Sequence, residues 1–290
     1  MRSSGEAGYC GANSDPAVAA ILAHLGEEPP LCTGKGAGTI FFSRCNLRCV
    51  YCQNHQISQG PIGRSISPET LADCILDLQH QGCSTIEPVS PSHHLPGFLE
   101  ALAIAVDRGM HLPVVYNSNG YESLDTLALL EGVVDVYLPD MKYADDRMAR
   151  AYSEVDEYVR VSSSAIRAMH AQVGNLVVDT EGRGVRGLIL RHLVLPENVA
   201  GTDRVLRWIA ENLPKTVTLS LMAQYAPLHK AHEFPPLHRR ITSDEYDRAV
   251  DLAWEMGFEN AFVQDLESPD LGVPDFSRQD PFVWERDCHG

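Results

Sequence analysis

Cys45, Cys49 and Cys52 share one short segment, Cys45-Asn46-Leu47-Arg48-Cys49-Val50-Tyr51-Cys52, with the spacing Cys-x3-Cys-x2-Cys. Three thiolates converging on one point can hold a cuboidal iron–sulfur cluster by three of its four irons, which leaves one iron open to a small molecule. The competing reading is structural zinc, because His55 lies three residues past Cys52 and completes a Cys3His set. Zinc sites usually space their ligands as two pairs on separate turns. Here every candidate crowds one segment directly after the strand-like run Gly38-Thr39-Ile40-Phe41-Phe42. The end of a parallel strand is where barrel-like folds place their ligands.

The elements that must position this loop are legible as β-rich runs alternating with amphipathic stretches. That pattern closes parallel strands into a sheet or barrel. Six strand candidates run Gly38 to Phe42, Ser84 to Val89, Leu112 to Tyr116, Val134 to Leu138, Gly187 to Leu195 and Val217 to Met222, and Asn260 to Val263 adds a final one. Between them, Leu71, Cys74, Ile75 and Leu78 fall on one face of a helix that Ser67-Pro68-Glu69 initiates. Thr242-Ser243-Asp244-Glu245 reads as a capping box ahead of the stripe Tyr246, Ala249, Val250, Ala253. The stretch 145–174 reads as long and helical, and 175–178 with 187–190 as a hairpin around a Gly-rich turn. The fold class is α/β, with an N-terminal extension over residues 1–37, a core over 38–267 and a Pro-rich tail over 268–290.

The chain has 290 residues, and its 23 Lys+Arg against 39 Asp+Glu give a net charge of -16. Such a surface repels nucleic acid and anionic membranes. No apolar run approaches the roughly 20 residues of a bilayer span, and the first residues lack a secretion signal, so the expectation is a soluble cytoplasmic protein. In a reducing compartment, clustered cysteines among the eight present point to metal or redox chemistry rather than disulfides.

The cysteine loop after the first strand of six β-α units resembles the signature of the radical S-adenosylmethionine (SAM) enzymes. The likeness extends over roughly residues 7 to 276 and is strongest to the pyruvate formate-lyase activating enzyme-related group. Its blocks are Phe41-Phe42-Ser43, Val50-Tyr51-Cys52-Gln53-Asn54, Tyr116 to Glu122, Tyr137 to Asp145, Arg191 to Pro196, and Leu221-Met222-Ala223-Gln224-Tyr225. The resemblance implies a partial (β/α)6 barrel and a [4Fe-4S] cluster on Cys45, Cys49 and Cys52. It also implies a bound SAM, cleaved reductively to a 5′-deoxyadenosyl radical. It assigns Tyr51 to the adenine, Asp140 and Lys142 to SAM, Ser90 and Ser92 to the methionine amino group, and Ser118 and Asn119 to ribose or methionine. Arg191 suits the SAM carboxylate, with a salt bridge inside the barrel as the alternative. For Asp140 and Lys142 the alternative is a solvated surface pair.

Other candidates have simpler readings. His192 reads as packed, His93-His94 as a solvated loop pair or a proton-transfer group, and Cys74 and Cys83 as core residues. Three departures from the resemblance stand out: Arg44 where a glycine is common, the more acidic strand Ile86-Glu87-Pro88, and Cys10 without upstream cysteine partners.

Two functions share the same radical. In the first, the substrate is a small molecule, plausibly sugar-containing, epimerised as in oligosaccharide-antibiotic pathways. Cys32 or Cys10, in an extension folded over the barrel mouth, then donates the returning hydrogen. In the second, the chain is an activase that takes hydrogen from a glycine Cα of a partner enzyme. Either needs a flavodoxin- or ferredoxin-type electron donor. A metal-binding or SAM-sensing module without turnover is the third reading.

Overall fold

The computed structural model describes residues 15–266 and 273–282. Ten strands form one open sheet: β1 (Ala17–His24), β2 (Ala37–Phe42), β3 (Arg64–Ser65), β4 (Thr85–Val89), β5 (Val115–Ser118), β6 (Val136–Pro139), β7 (Val177–Val178), β8 (Gly184–Leu193), β9 (Thr218–Met222) and β10 (Asn260–Val263). The order is β10-β9-β8-β6-β5-β4-β2-β1-β3, with β7 paired to β8. From β2 to β10 every pairing along this path is parallel. Parallel neighbours need crossovers, and helices supply them: α1 (His55–Ser58), α2 (Pro68–Gln81), α3 (Leu95–Asp107), α4 (Leu124–Leu130), α5 (Asp146–Ser153), α6 (Tyr158–Val173), α7 (Thr202–Asn212) and α8 (Ser243–Glu255).

Local signals set the helix ends. Ser67 accepts from Thr70 N ahead of Pro68, and Gly82 closes α2 in the left-handed region at φ 91°. Thr242 and Glu245 make the expected capping box for α8. The stretch expected as one long helix is instead two, α5 and α6, because Glu154 and Glu157 both turn left-handed between them. The third core strand begins at Val115 rather than Leu112, and Arg191 lies inside a strand that starts earlier than expected, at Gly184.

The N-terminal segment corrects the expectation of a cover over the barrel mouth. β1 pairs antiparallel with β2 and adds an edge strand to the sheet. The following residues then pass under the barrel. Leu31 O accepts from Ser84 Oγ at 2.8 Å and Thr85 Oγ1 at 3.2 Å, at the start of β4. Pro30 O accepts from Gly184 N, at the start of β8. Leu31 is fully buried and packs with Val115, Val136, Leu138 and Ile189. Residues 25–36 therefore plug the end opposite the cysteine loop. On the outside, Phe276 and Phe282 of the tail pack on Phe41 at ring distances of 5.3 and 5.5 Å. No helix among the described residues is long and apolar enough to cross a membrane.

Candidate functional site

The cysteine loop leaves the upper end of β2 through Arg44, whose φ of 77° is the conformation glycine adopts without cost. Arg44 is held there by Arg44 N to Ile57 O at 2.8 Å and by its guanidinium to Gly60 O at 3.0 Å. The last carbonyls of a helix lack partners within the helix. In α5 two of them receive the loop: Arg48 N donates to Ser153 O at 3.0 Å and Val50 N to Tyr152 O at 2.9 Å. The loop is thus seated on a helix end before any ligand arrives.

The three sulfurs each have donors directed at them. Leu47 N and Asn119 Nδ2 approach Cys45 Sγ at 3.4 and 3.5 Å, Ser153 Oγ approaches Cys49 Sγ at 3.0 Å, and Ser58 Oγ lies 3.3 Å from Cys52 Sγ. Burial pushes all three thiols up, Cys52 to about 12, and the Lys142 ammonium works against burial at Cys45 and Cys49. The described residues contain no three-ligand group already closed to metal spacing. The donor set nonetheless fits an iron–sulfur cluster: three soft sulfurs on one loop, hydrogen-bond donors around them, and one cation to offset their charge. It does not fit zinc, because His55 stacks on His229 at 4.8 Å and its Nδ1 lies 3.2 Å from Cys52 O.

Below the loop, polar side chains line the inside of the barrel in two layers. In the upper layer, Asp140 Oδ2 pairs with Lys142 Nζ at 2.6 Å and Asp140 Oδ1 with Arg191 Nε at 2.9 Å. The pair is only 13–16% exposed, so the solvated-pair alternative fails. Burial alone would raise the Asp140 carboxyl, but Arg191 and Lys142 outweigh it and hold the group below its ordinary value. In the lower layer, Glu87 stands opposite Thr39 in the β2–β4 register and accepts from Asn117 Nδ2 at 2.7 Å. Arg191 reaches down to Asn117 Oδ1 at 2.6 Å and to Glu27 Oε2 at 3.5 Å. Glu28 comes up from the plug. Burial raises both Glu28 and Glu87, and each keeps one Oε2 atom without a hydrogen-bond partner.

These contacts revise several expectations. Arg191 is held by two carboxylates and an amide, the salt bridge inside the barrel that was the alternative for it. Tyr51 is 7% exposed, edge-on to Tyr225, with its hydroxyl 2.6 Å from Tyr143 Oη. It packs the loop against Tyr225 and Tyr143. Ser92 Oγ donates to buried Glu122, and Ser118 Oγ accepts from Gly120 N at 3.3 Å. Ser90, directly after β4, is in the left-handed region at φ 51°. Asn119 bridges to Asn46 Oδ1 at 2.6 Å as well as to Cys45, so it braces the loop. His93 and His94 are buried, not solvated, with both Nε2 atoms on Ser43 O. His192 is packed as expected, between Met141 O at 2.7 Å and Thr202 Oγ1 at 2.9 Å, and burial lowers it to about 4.

Cys32 lies under the barrel rather than over its mouth. Its thiol is 3.2 Å from Glu27 O, and burial and the nearby Glu27, Glu28 and Glu87 carboxyls raise it. Cys10 lies outside the described residues. Sequence reasoning missed Glu27, Glu28, Asn117, Tyr143 and Ser153. The acidic pair ahead of Pro29-Pro30 was a readable signal, whereas Ser153 reaches Cys49 only through the tertiary fold.

Glu122 gives a pH dependence. Burial raises its carboxyl from 4.5 to about 7, against the opposing bond from Ser92. A folded-state value above the unfolded one means the folded state binds the proton more tightly. Glu122 therefore stabilises fully below about pH 4.5, and this contribution is lost as pH rises through about 7. At about 1.36 kcal/mol per unit this amounts to roughly 3 kcal/mol. Urea unfolding from pH 4.5 to 8 is expected to show a shallower decline for Glu122→Gln than for the parent; parallel curves would remove Glu122 as the source.

Residues 39–180 match the model of the Radical SAM superfamily. Members of that superfamily use a [4Fe-4S] cluster and SAM. An uncharacterized protein of Methanocaldococcus jannaschii is 35% identical over 240 residues, covering 79% of this chain, and this chain spans only 64% of that protein's length. Among solved structures, the FeFe-hydrogenase maturase HydG from Carboxydothermus hydrogenoformans superposes with a TM-score of 0.53 at 11% identity, over 83% of this chain and 60% of its own. Methylornithine synthase (PylB) superposes with a TM-score of 0.51 at 14% identity, over 85% of this chain and 74% of its own. At those identities the likeness is one of fold: an unclosed, parallel partial barrel.

Proposed function

We propose, from the match of residues 39–180 to the model of the Radical SAM superfamily, that the protein is an enzyme of that kind, which removes a carbon-bound hydrogen from a small molecule held inside the barrel. Cys45, Cys49 and Cys52 would hold the cluster, and Asp140, Lys142, Ser118 and Asn119, by the resemblance, would receive SAM. When bound, these groups supply one-electron cleavage of SAM and the 5′-deoxyadenosyl radical. Asn119, Ser153 and the end of α5 hold the loop in place, while Lys142 offsets the charge that collects near the sulfurs.

The observation that carries the small-molecule reading is the lower layer. Glu28 and Glu87 each keep an Oε2 atom without a hydrogen-bond partner, beside the Asn117–Arg191 pair, and residues 25–36 close the barrel beneath them. A hydroxyl-rich, sugar-containing substrate suits buried carboxyls, since a protonated carboxyl both donates and accepts. For an epimerase of the kind found in oligosaccharide-antibiotic pathways, Cys32 is the hydrogen donor, now from below. Its raised thiol stays protonated, as S–H donation demands. The activase reading needs a partner's glycine loop to enter instead, and the plug disfavours entry from beneath. The electron comes from a flavodoxin- or ferredoxin-type donor.

The test supplies the reconstituted enzyme with SAM, reductant and either the small-molecule or the protein fraction of a fully deuterated cell extract. Mass spectrometry then follows deuterium into 5′-deoxyadenosine. Label from the small-molecule fraction supports the reading; label from the protein fraction alone transfers the case to the activase.

A further inference from the structure

Three hydroxyls inside the protein run in a line to one of the cluster cysteines. Tyr51 Oη lies 2.6 Å from Tyr143 Oη, Tyr143 Oη lies 2.8 Å from Ser153 Oγ, and Ser153 Oγ lies 3.0 Å from Cys49 Sγ. Ser153 and Tyr143 are fully buried, and Tyr51 and Cys49 are 7% and 8% exposed. Water therefore does not compete for these bonds. Each hydroxyl carries a single proton, and a ligating thiolate can only accept. With Cys49 as a thiolate the order is fixed: Ser153 donates to Cys49, Tyr143 to Ser153, and Tyr51 to Tyr143. Every dipole then points toward the sulfur, and each bond polarises the next.

The chain starts and ends in the same loop, since Tyr51 precedes Cys52. Ser153 is also the residue whose backbone carbonyl receives Arg48 N. One residue at the end of α5 thus fixes the loop through its carbonyl and faces the cluster ligand through its hydroxyl. Asn119 and Leu47 act on Cys45, and Ser58 faces Cys52, but each of those contacts is a single bond at 3.3 Å or longer. Cys49 alone is reached by a relay of donors.

We propose that Ser153, backed by Tyr143 and Tyr51, raises the reduction potential of the cluster through its hydrogen bond to the Cys49 sulfur. A donor at a ligand sulfur stabilises the more negative, reduced cluster, and hydrogen bonds to sulfur are among the determinants of cluster potential. Ser153 acts through Cys49 and is a positioning residue. The proposal rests on Cys49 being a cluster ligand.

The test is a redox titration of the reconstituted protein, with the reduced cluster read by electron paramagnetic resonance. Ser153→Ala is expected to raise the oxidised-to-reduced ratio at fixed potential by about tenfold, which is a midpoint about 59 mV more negative for one electron. Tyr143→Phe, which leaves Ser153 in place, is expected to shift it the same way by less, and Ser153→Thr to restore the parent value. An unshifted midpoint in Ser153→Ala at full cluster loading overturns the proposal. If Ser153→Ala fails to load, an unshifted Tyr143→Phe overturns it equally. A parent protein that takes up no cluster reports the separate failure of the cysteine assignment, because it shows no cluster signal to titrate.

Discussion

Cys49→Ala protein is expected to leave anaerobic reconstitution with iron and sulfide without a cluster, and to form no 5′-deoxyadenosine above background from SAM and a strong reductant. Cys49 is the one buried thiol of the three and the one that a buried serine contacts. Its removal leaves two sulfurs for a group that needs three, together with a Ser153 hydroxyl facing a gap. Cys74→Ala is the control, because that thiol lies on α2, away from the loop. It should load iron and cleave SAM as the parent does. Iron content, the charge-transfer absorption of the cluster and mass spectrometry of the product read the outcome. Parent protein that purifies with zinc and forms no product, or a Cys49→Ala variant that keeps full turnover, would end the radical reading.

Replacement of Arg191 by methionine is expected to cost about 3–5 kcal/mol of folding stability. Methionine keeps much of the volume but removes the charge that Asp140, Glu27, Glu28 and Glu87 all face. Lys142 would then be left to neutralise the upper layer alone, and the lower layer would hold carboxyls with no cation beside them. Burial already pushes Glu28 and Glu87 up, and loss of Arg191 pushes them further. A carboxyl raised in the folded state stabilises at low pH and stops doing so as pH rises. The deficit should accordingly be smallest near pH 5 and largest above pH 7. Arg191→Lys should recover only part of it, because one ammonium cannot reach Asp140, Asn117 and Glu27 together as the planar fork does. Urea denaturation across pH measures this. A loss under about 0.5 kcal/mol for Arg191→Met would show that the network is not a unit.

Much of this architecture was legible because local chemistry and tertiary need agree. The runs ending in Phe42, Val89 and Met222 are β-rich, and they form strands close to where the pattern put them. The caps at Ser67 and Thr242 are written in the residues themselves. The cysteine loop was legible because three sulfurs in eight residues have few other uses. Local pattern failed where contacts are long-range. The 25–36 segment reads as a polar, Pro- and Gly-containing extension, and nothing in it announces that Leu31 fills the barrel floor. His93 and His94 look like loop residues, yet a carbonyl just before the cysteine loop, Ser43 O, gathers both rings inside. The break at Glu154 and Glu157 lay hidden because neither residue carries a breaker's side chain, and the reversal comes from backbone geometry alone.

The plug beneath the barrel also has a meaning in time. During synthesis the N-terminal residues emerge first, and domains fold as units while the chain is made. The partners that hold residues 25–36 are far downstream, with Gly184, Arg191 and Ser220 among them. Until β8 and β9 have left the ribosome, the floor segment has half a barrel to sit on and Glu28 has no counter-charge. Residues 25–36 are therefore among the last to find their places although β1 just before them pairs early with β2, and the growing barrel stays open from below until then. Such distant pairings slow folding, since the long loop must close before its contacts repay the cost. A nascent chain halted before residue 184 should carry a cysteine loop seated on α5, still without its contacts to Tyr225 and Lys230, above a barrel that has no floor.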